Sequence, residues 1–202
     1  DNKRALDILK KHGIYVQAGF ILFDDNTTFE ELKENYEFLR EYDWIITKGI
    51  FSEMFAADGT LYTEKLKKED KIVKNDVYDN NKYEIVDPKV KLTYNALKKW
   101  HKSHMKLYDM IIDPISSPKA IDETGEKSFY DLFYQLKLKD LDFMKMVLDD
   151  VERGITEREL NEKVIAQIIG NSEFYSSINR SGQALCEKYN LNYDGKENPF
   201  IR

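Results

Sequence analysis

The sequence contains very little cysteine, proline or glycine. Its 202 residues include 1 cysteine, Cys186, with 4 prolines and 9 glycines. A single thiol excludes an internal disulfide framework and any cysteine-rich zinc or iron–sulfur site within this chain. The scarcity of proline and glycine excludes the collagen-like and low-complexity classes.

Long hydrophobic runs and an excess of positive charge are absent too. No apolar run reaches the roughly 18 residues that a membrane span needs. The first residues, DNKRALDILKKHG, read as a charged amphipathic helix and not as a signal peptide. The formal net charge is −6, whereas a nucleic-acid surface needs clustered positive charge. We therefore expect a cytoplasmic protein with no membrane partner and no nucleic-acid partner.

The chain does have a globular composition, with 42% hydrophobic and 34% charged residues. Residues 3–12 and 27–42 read as amphipathic helices, while the apolar runs at 14–23 and 44–51 read as strands. A further helix is predicted at about 61–69. Strands that are separated by a helix predict a parallel βαβ unit with a right-handed crossover.

Two parallel strands cannot bury both faces or pair both edges by themselves. We therefore expect the missing strands on chain upstream of Asp1. The predicted fold class is α/β followed by all-α. Residues 1–70 would hold the βα units, 71–87 a linker or excursion, and 88–202 a helical C-terminal region.

Residue types that cap helices mark the helix starts. At the second helix two overlapping capping boxes fit, Thr27 with Glu30 and Thr28 with Glu31. Further starts are predicted at Thr60, at Asp87 with Pro88, and at Thr156 with Glu159. The helical region then reads as helices at about 88–113, 127–153, 157–169 and 172–190.

The stretch GFILFDDNTTFEELKENYEFL, residues 19–39, resembles the later βα units of radical S-adenosylmethionine enzymes, especially those with a cobalamin-binding domain ahead of the radical domain. The neighbouring stretches ALDILKKHGIYV and TKGIFSEMFAADGTLYTEKL are similar to that group as well. The resemblance covers about residues 1–70. The sequence departs from the family at Asp25, where proline is common, and lacks the C-x-x-x-C-x-x-C loop that holds a [4Fe–4S] cluster.

The resemblance implies the C-terminal fragment of a radical S-adenosylmethionine oxidoreductase or methyltransferase, in which residues 1–70 would be the last units of a partial parallel βα barrel. Its partner would be the missing N-terminal part of the same protein, which would carry the cluster loop. S-adenosylmethionine and the cluster, with cobalamin where that domain is present, would be cofactors of the whole protein. This fragment alone would hold none of them and would be inactive. The alternative is a non-catalytic helical protein-interaction module.

Barrel enzymes place their chemistry at the carboxyl ends of parallel strands. This nominates Glu53 and Asp24 as catalytic candidates, and the resemblance makes Gln17, Gly19 and Phe23 candidates for binding S-adenosylmethionine. The alternative for Asp24 is a turn, and for Glu53 a salt bridge to a lysine. Gln17 could instead meet a neighbouring backbone, and Gly19 could serve close packing alone.

His101 and His104 lie three residues apart on one helix, a spacing that can share a metal ion. The same spacing fits a packing stripe that also contains Val90, Tyr94, Leu97, Tyr108 and Ile111, so we predict no metal site. The flanking lysines, Lys98, Lys99, Lys102 and Lys106, are interpreted as a solvated helix face. Because barrel strands would be missing, we also expect a homodimer that covers the exposed sheet.

Overall fold

The computed structural model describes residues 2–74, 82–116 and 121–191. Within them the chain forms seven α-helices: α1 Asn2–Lys11, α2 Phe29–Glu41, α3 Leu61–Lys68, α4 Pro88–Ser116, α5 Glu123–Glu152, α6 Glu157–Gly170 and α7 Ser172–Lys188. Residues 75–81 of the predicted linker and residues 192–202 of the predicted helical region lie outside the described residues. None of the described helices is long and apolar enough to cross a membrane.

The predicted parallel βα barrel is wrong. The sheet in the described residues has two short strands, β1 Ile72–Lys74 and β2 Lys82–Tyr83, which pair antiparallel. The two segments predicted as strands do run side by side in parallel. They are joined by isolated bridges, Gln17 with Ile46 and Phe23 with Glu53, and form no regular strand.

The pairing of the two segments is interrupted at Gly49 and Ser52. Gly49 has a φ of +74°, and its amide donates to the carbonyl of Thr47 at 2.9 Å, which bends the second segment. The Ser52 hydroxyl lies between the segments, where it accepts from the Leu22 amide at 3.0 Å and donates to the Phe20 carbonyl. A turn and an inserted side chain replace ladder hydrogen bonds, so the two bridges stay separate.

The helix starts follow the local signals. At α2 the capping box is Thr28 with Glu31, because the Thr28 hydroxyl accepts from the Glu31 amide and the Glu31 carboxylate accepts from the Thr28 amide. The starts at Thr60, Asp87 and Thr156 are confirmed as well. Two ends differ from the prediction: α4 continues through Pro114 to Ser116, and α5 begins earlier, at Glu123, where Asp122 caps it.

One hydrophobic core joins the two halves of the chain. It contains Leu22 and Phe23 from the first segment, side chains of α2, and buried side chains of α4, α5, α6 and α7. Its centre lies between α4 and α5, where the rings of Trp100 and Phe143 stack at 3.9 Å between centroids. Residues on both sides of 71–87 therefore share an interior. The division into regions 1–70, 71–87 and 88–202 stays a prediction.

A buried carboxylate, Asp140, connects α5 to three positions of α4. It accepts from Trp100 Nε1 at 2.8 Å and from the Tyr108 hydroxyl at 2.6 Å, and His104 Nε2 lies 3.0 Å from its Oδ1. All four side chains are buried. Burial acts to raise the pKa of the Asp140 carboxyl, but the charge of His104 and these hydrogen bonds hold it below its ordinary value. We call this cluster the Asp140 hub.

Lys137, one turn before Asp140 on α5, is a second buried charged group. Lys137 is only 1% exposed, and its ammonium donates to the Ile45 carbonyl. Burial lowers the pKa of Lys137 from 10.5 to about 8, against the opposing charges of Asp43 and Asp140. This lysine ties α5 to the start of the second segment.

Candidate functional site

A cleft of about 290 Å³ opens beside Glu53, next to the bridge that joins Glu53 to Phe23. The second segment, the β1–β2 hairpin and α4 form its walls. It is lined by Glu53, Met54, Val73, Lys82, Tyr83, Glu84, Ile85, Lys91, Tyr94 and Asn95. We call it the Glu53 cleft.

Tyr83 connects strand β2 to the ends of both segments through hydrogen bonds. Its hydroxyl donates to the Met54 carbonyl at 3.2 Å and to the Phe23 carbonyl at 3.3 Å. Burial, with a contribution from the charge of Glu53, raises the pKa of Tyr83 well above its ordinary value, so the phenol keeps its proton. The cleft wall is thereby held to the backbone that carries Glu53.

Glu53 contacts a tyrosine and a lysine of α4. The Tyr94 hydroxyl donates to Glu53 Oε2 at 2.5 Å, and Lys98 Nζ donates to the same hydroxyl at 2.5 Å. Lys98 Nζ also lies 3.5 Å from Glu53 Oε1, and Lys82 Nζ lies 3.8 Å from it. The sequence offered a lysine salt bridge as the alternative for Glu53, and the structure contains that contact within a larger cluster, which we call the Glu53 triad (Glu53, Tyr94 and Lys98).

The Glu53 triad has a defined proton arrangement. Burial raises the pKa of Tyr94, and its hydrogen bond to Glu53 raises it further, so Tyr94 is a hydrogen-bond donor over the ordinary pH range. Oxygen Oε2 of Glu53 is engaged by Tyr94, while Oε1 has only the longer contacts with the two lysines. Oε1 can therefore accept a hydrogen bond or a proton from a molecule in the cleft.

Asp24 lies in the turn before α2. Its Oδ1 accepts from the Asn26 amide and from the Thr27 hydroxyl, both at 2.9 Å, and its own amide donates to Thr27 Oγ1 at 2.8 Å. These are the hydrogen bonds of the turn that the sequence offered as the alternative to catalysis.

Asp25, at the position where the resembling family often has proline, is a structural carboxylate. Its side chain is fully buried and accepts from Lys71 Nζ at 2.6 Å and from the Tyr62 hydroxyl at 3.1 Å. Burial acts to raise the pKa of Asp25, but the hydrogen bonds from Lys71 and Tyr62 hold it below its ordinary value. The carboxylate connects the turn to α3 and to the residues that follow it.

Gln17 and Gly19 lie in a different place, a shallow trough of about 550 Å³ beside the paired segments. The Gln17 side-chain oxygen accepts from the Ser116 hydroxyl at 2.7 Å. A Cβ atom at Gly19 would meet nothing within 4 Å. Phe23 is fully buried, with its ring packed against those of Phe51 and Tyr94. We call the depression the Gln17 trough.

Thr47, Gly49 and His101 also line the Gln17 trough. A Cβ atom at Gly49 would lie 2.5 Å from His101 Nδ1, so the ring packs directly on the glycine backbone. Among the described residues, Thr47 Oγ1 and His101 Nδ1 are buried atoms without a hydrogen-bond partner. Both residues line the trough, while these two atoms themselves are buried.

The contact of Tyr94 and Lys98 with Glu53 was not predicted from the sequence. The sequence places Tyr94 in a packing stripe and Lys98 on a solvated face. A signal was available, since a tyrosine and a lysine four residues apart meet on one face of a helix. No local pattern connects them to Glu53, which is 41 residues away from Tyr94.

Comparison with known proteins gives one partial similarity. Over 96 residues the chain is 34% identical to the anaerobic magnesium-protoporphyrin IX monomethyl ester cyclase of Rubrivivax gelatinosus. The match covers 45% of this chain and only 15% of that protein. No protein-family model matches the chain, and no solved structure matches it. The similarity supports an origin related to the radical S-adenosylmethionine enzymes.

Proposed function

We propose that this chain is part of an enzyme related to the radical S-adenosylmethionine enzymes, and that the Glu53 cleft belongs to its substrate-binding surface. The observation that carries the proposal is the Glu53 triad, of which Glu53 and Tyr94 line the cleft. A carboxylate, a phenol and an ammonium in mutual contact are suited to holding or moving a proton beside a bound molecule. The partial similarity to a cyclase favours an enzyme over an interaction module.

In this proposal each member of the Glu53 triad has its own role. Glu53 accepts a hydrogen bond or a proton from the substrate through Oε1. Tyr94 stabilises the carboxylate through its hydrogen bond to Oε2, and Lys98 balances the negative charge. The roles of Asp24 and Phe23 are then indirect, because Asp24 shapes the turn and Phe23 packs beneath the cleft.

The residues of this chain do not fit a [4Fe–4S] cluster. Cys186, its single cysteine, is buried, and the described residues contain no group of three metal-binding side chains. Any cluster would be held by another part of the protein. The same holds for cobalamin, for which this chain supplies no argument beyond the resemblance.

The Gln17 trough fits one side of a bound S-adenosylmethionine, which supplies the radical chemistry in such enzymes. Gly19 leaves open space for a ligand beside the backbone. Thr47 and His101 contribute the wall of the trough beside it. Gln17 presents its amide at the same surface.

The test uses the complete gene product, reconstituted anaerobically with iron and sulfide and then reduced. We expect an iron–sulfur absorption spectrum and the release of 5′-deoxyadenosine from S-adenosylmethionine. The 202-residue chain alone is the matched control and should do neither. In the complete protein, Gln17→Ala should raise the S-adenosylmethionine concentration for half-maximal cleavage several-fold, whereas Glu162→Gln on exposed α6 should not. If the complete protein binds no cluster and releases no 5′-deoxyadenosine, the proposal of a radical S-adenosylmethionine enzyme fails.

A further inference from the structure

We infer that α1 is a detachable cover over the side chain of Trp44, and that its detachment also releases the backbone that carries Gln17. The inference does not depend on the proposed function and goes beyond it, because it assigns a conformational step to this chain. It is carried by the separate cluster on which α1 packs, by the weak attachment of α1, and by the position of the hydrogen bonds that join the two segments.

The helix α1 packs on a small hydrophobic cluster that is separate from the main core. Tyr42, Trp44 and Ile45 form its buried centre, and we call it the Trp44 cluster. The partly buried side chains that pack against this centre are Leu6 and Leu9 of α1, with Val16, Ala18 and Phe38. Among the described residues, the main core and the side chains packed on it include none from α1. The helix can therefore detach without disturbing that core.

The apolar attachment of α1 is shallow. None of the described residues of α1 is buried, and the two leucines that pack on the Trp44 cluster, Leu6 and Leu9, are only partly buried. Their burial therefore supplies a fraction of what two core leucines supply. An isolated helix as short as α1 is not stable in water, so α1 is helical only while it packs on the cluster, and it unfolds when it detaches.

The polar attachment of α1 lies at the surface. The Lys3 ammonium is 2.6 Å from a Glu41 carboxylate oxygen, but both side chains are more than half exposed, and such a pair contributes little to stability. The ammonium groups of Lys3 and Lys10 lie 5.8 and 5.9 Å from the ring centres of Tyr42 and Trp44. These distances are near the outer limit of a cation–π contact. The polar contacts therefore add little to the shallow apolar ones.

The detachment of α1 has a defined reach along the paired segments. Val16 and Ala18, which flank Gln17, pack on the same cluster as α1. The Ala18 amide donates to the Ile46 carbonyl at 2.9 Å, and the Ile46 amide donates to the Val16 carbonyl at 2.8 Å. The Ile46 side chain lies in the main core and keeps the second segment in place. Without α1, the first segment therefore loses its apolar support at Gln17.

The other end of the paired segments does not depend on α1. The Phe23 amide donates to the Ser52 carbonyl at 3.1 Å, and the Met54 amide donates to the Phe23 carbonyl at 2.8 Å. Phe23 is fully buried in the main core. The two ends of one pairing thus depend on different hydrophobic clusters, and the Gln17 end opens before the Phe23 end.

The first test is native-state amide hydrogen exchange of the 202-residue chain, followed by NMR at neutral pH. The amides of α1, Ala18 and Ile46 should have similar protection factors, about 100-fold lower than those of the Met54 amide and the helical amides of α2. The inference is overturned if α1 and α2 are equally protected, or if Ala18 and Ile46 are protected as strongly as Met54.

The second test compares two double variants of α1 that have the same charge and spacing. Leu6→Glu with Leu9→Glu places carboxylates against the Trp44 cluster and should detach α1, lowering the protection of the Ala18 and Ile46 amides about 100-fold. The Met54 amide should keep its protection. Ala5→Glu with Ile8→Glu, on exposed positions of the same helix, is the matched control and should change neither. Equal effects of the two variants, or an equal loss at Met54, would contradict the inference.

Acrylamide quenching of tryptophan fluorescence follows the uncovering of Trp44 in the same variants. The chain has two tryptophans, and the other one, Trp100, is 1% exposed in the main core. Quenching should increase when Leu6 and Leu9 are both replaced by glutamate and stay at the unmodified level in the matched control. If the leucine variant loses protection at Ala18 without any increase in quenching, α1 does not cover Trp44.

Discussion

The helices α4 to α7 and the paired segments at 14–23 and 44–54 satisfy their backbones in different ways. A helix forms its hydrogen bonds within itself, whereas a strand needs a neighbour at each edge. The helix starts at Asp87 and Thr156 can therefore be predicted from a few adjacent residues, and the structure confirms both. The second apolar run correctly indicates burial, since Ile45 and Ile46 are in the core, but in the first run Leu22 and Phe23 are buried while Ile14 and Ile21 are exposed, and neither run determines a ladder. We infer that local sequence is enough to specify a helix, whereas the pairing of a strand depends on residues elsewhere in the chain.

The largest effect is expected from replacing Asp140. This variant tests whether the stability of the helical part depends on local signals alone. Asp140→Ala leaves the donors of Trp100 and Tyr108 without their acceptor in a buried site. We expect a loss of about 3–5 kcal/mol in the free energy of unfolding, measured with urea. Asp131→Ala, an exposed α5 position paired with Lys127, should cost less than about 1 kcal/mol. Equal effects would mean that the Asp140 hub contributes nothing.

Two glycines test how the paired segments depend on contacts with the rest of the chain. Gly49→Ala should lower the free energy of unfolding by about 2–3 kcal/mol, because the residue has a positive φ and its Cβ would collide with His101. Gly19→Ala should be tolerated within about 0.5 kcal/mol, since its Cβ would enter open space. Thermal unfolding of both variants measures the contrast. Similar losses would contradict the placement of the bend at Gly49.

The pH dependence of stability tests the lysine that connects the two regions. In the unfolded chain Lys137 keeps its proton up to about 10.5, whereas in the folded protein its pKa is about 8. Between these values the unfolded chain binds more protons, so stability rises with pH. We expect a gain of about 2 kcal/mol between roughly pH 7 and pH 9.5.

The control for this pH effect is Lys137→Met, which keeps an apolar side chain of similar length and has no proton to lose. Urea unfolding of the variant should show a flatter pH profile across the same range. Subtracting it also removes the contribution of Cys186, whose pKa is raised by burial and which loses stability at the alkaline end. Parallel profiles for the two proteins would contradict the buried charge of Lys137.

The smallest expected effect is weak self-association through the first segment. Ile14 and Ile21 are 51% and 52% exposed, and in the described residues no further strand pairs with this segment. Apolar side chains along an unpaired edge favour a second copy. Light scattering over a range of concentrations should detect a dimer that Ile21→Lys weakens and Ile165→Lys does not. A monomer at high concentration would count against it.

Part of the candidate site was predictable from the sequence. Glu53 was identified because a carboxylate between apolar neighbours needs a partner, and the structure gives it Tyr94 and Lys98. The choice between two capping boxes was not predictable, because Thr27 is taken by Asp24. The inserted hydroxyl of Ser52 was not predictable either. In each case the deciding contact depends on how the backbone folds around the residue.

The fold of the first half was misjudged because a family pattern was taken to include its sheet. The bend at Gly49 depends on a glycine that is compatible with a strand when read alone, and the ring of His101 on α4 packs where a Cβ would lie. Likewise α4 passes Pro114, which usually ends a helix, and continues to Ser116.

The Asp140 hub also limits how α4 can slide. The donors Trp100 and Tyr108, with the His104 ring between them, are spaced four residues apart along α4 and converge on one carboxylate. Apolar contacts are interchangeable along a helix face, and a shift by one turn, about 5.4 Å, would keep many of them. The same shift would move every donor away from its place at the carboxylate, because hydrogen bonds are directional. The contacts at Asp140 therefore favour a single axial register of α4 on α5.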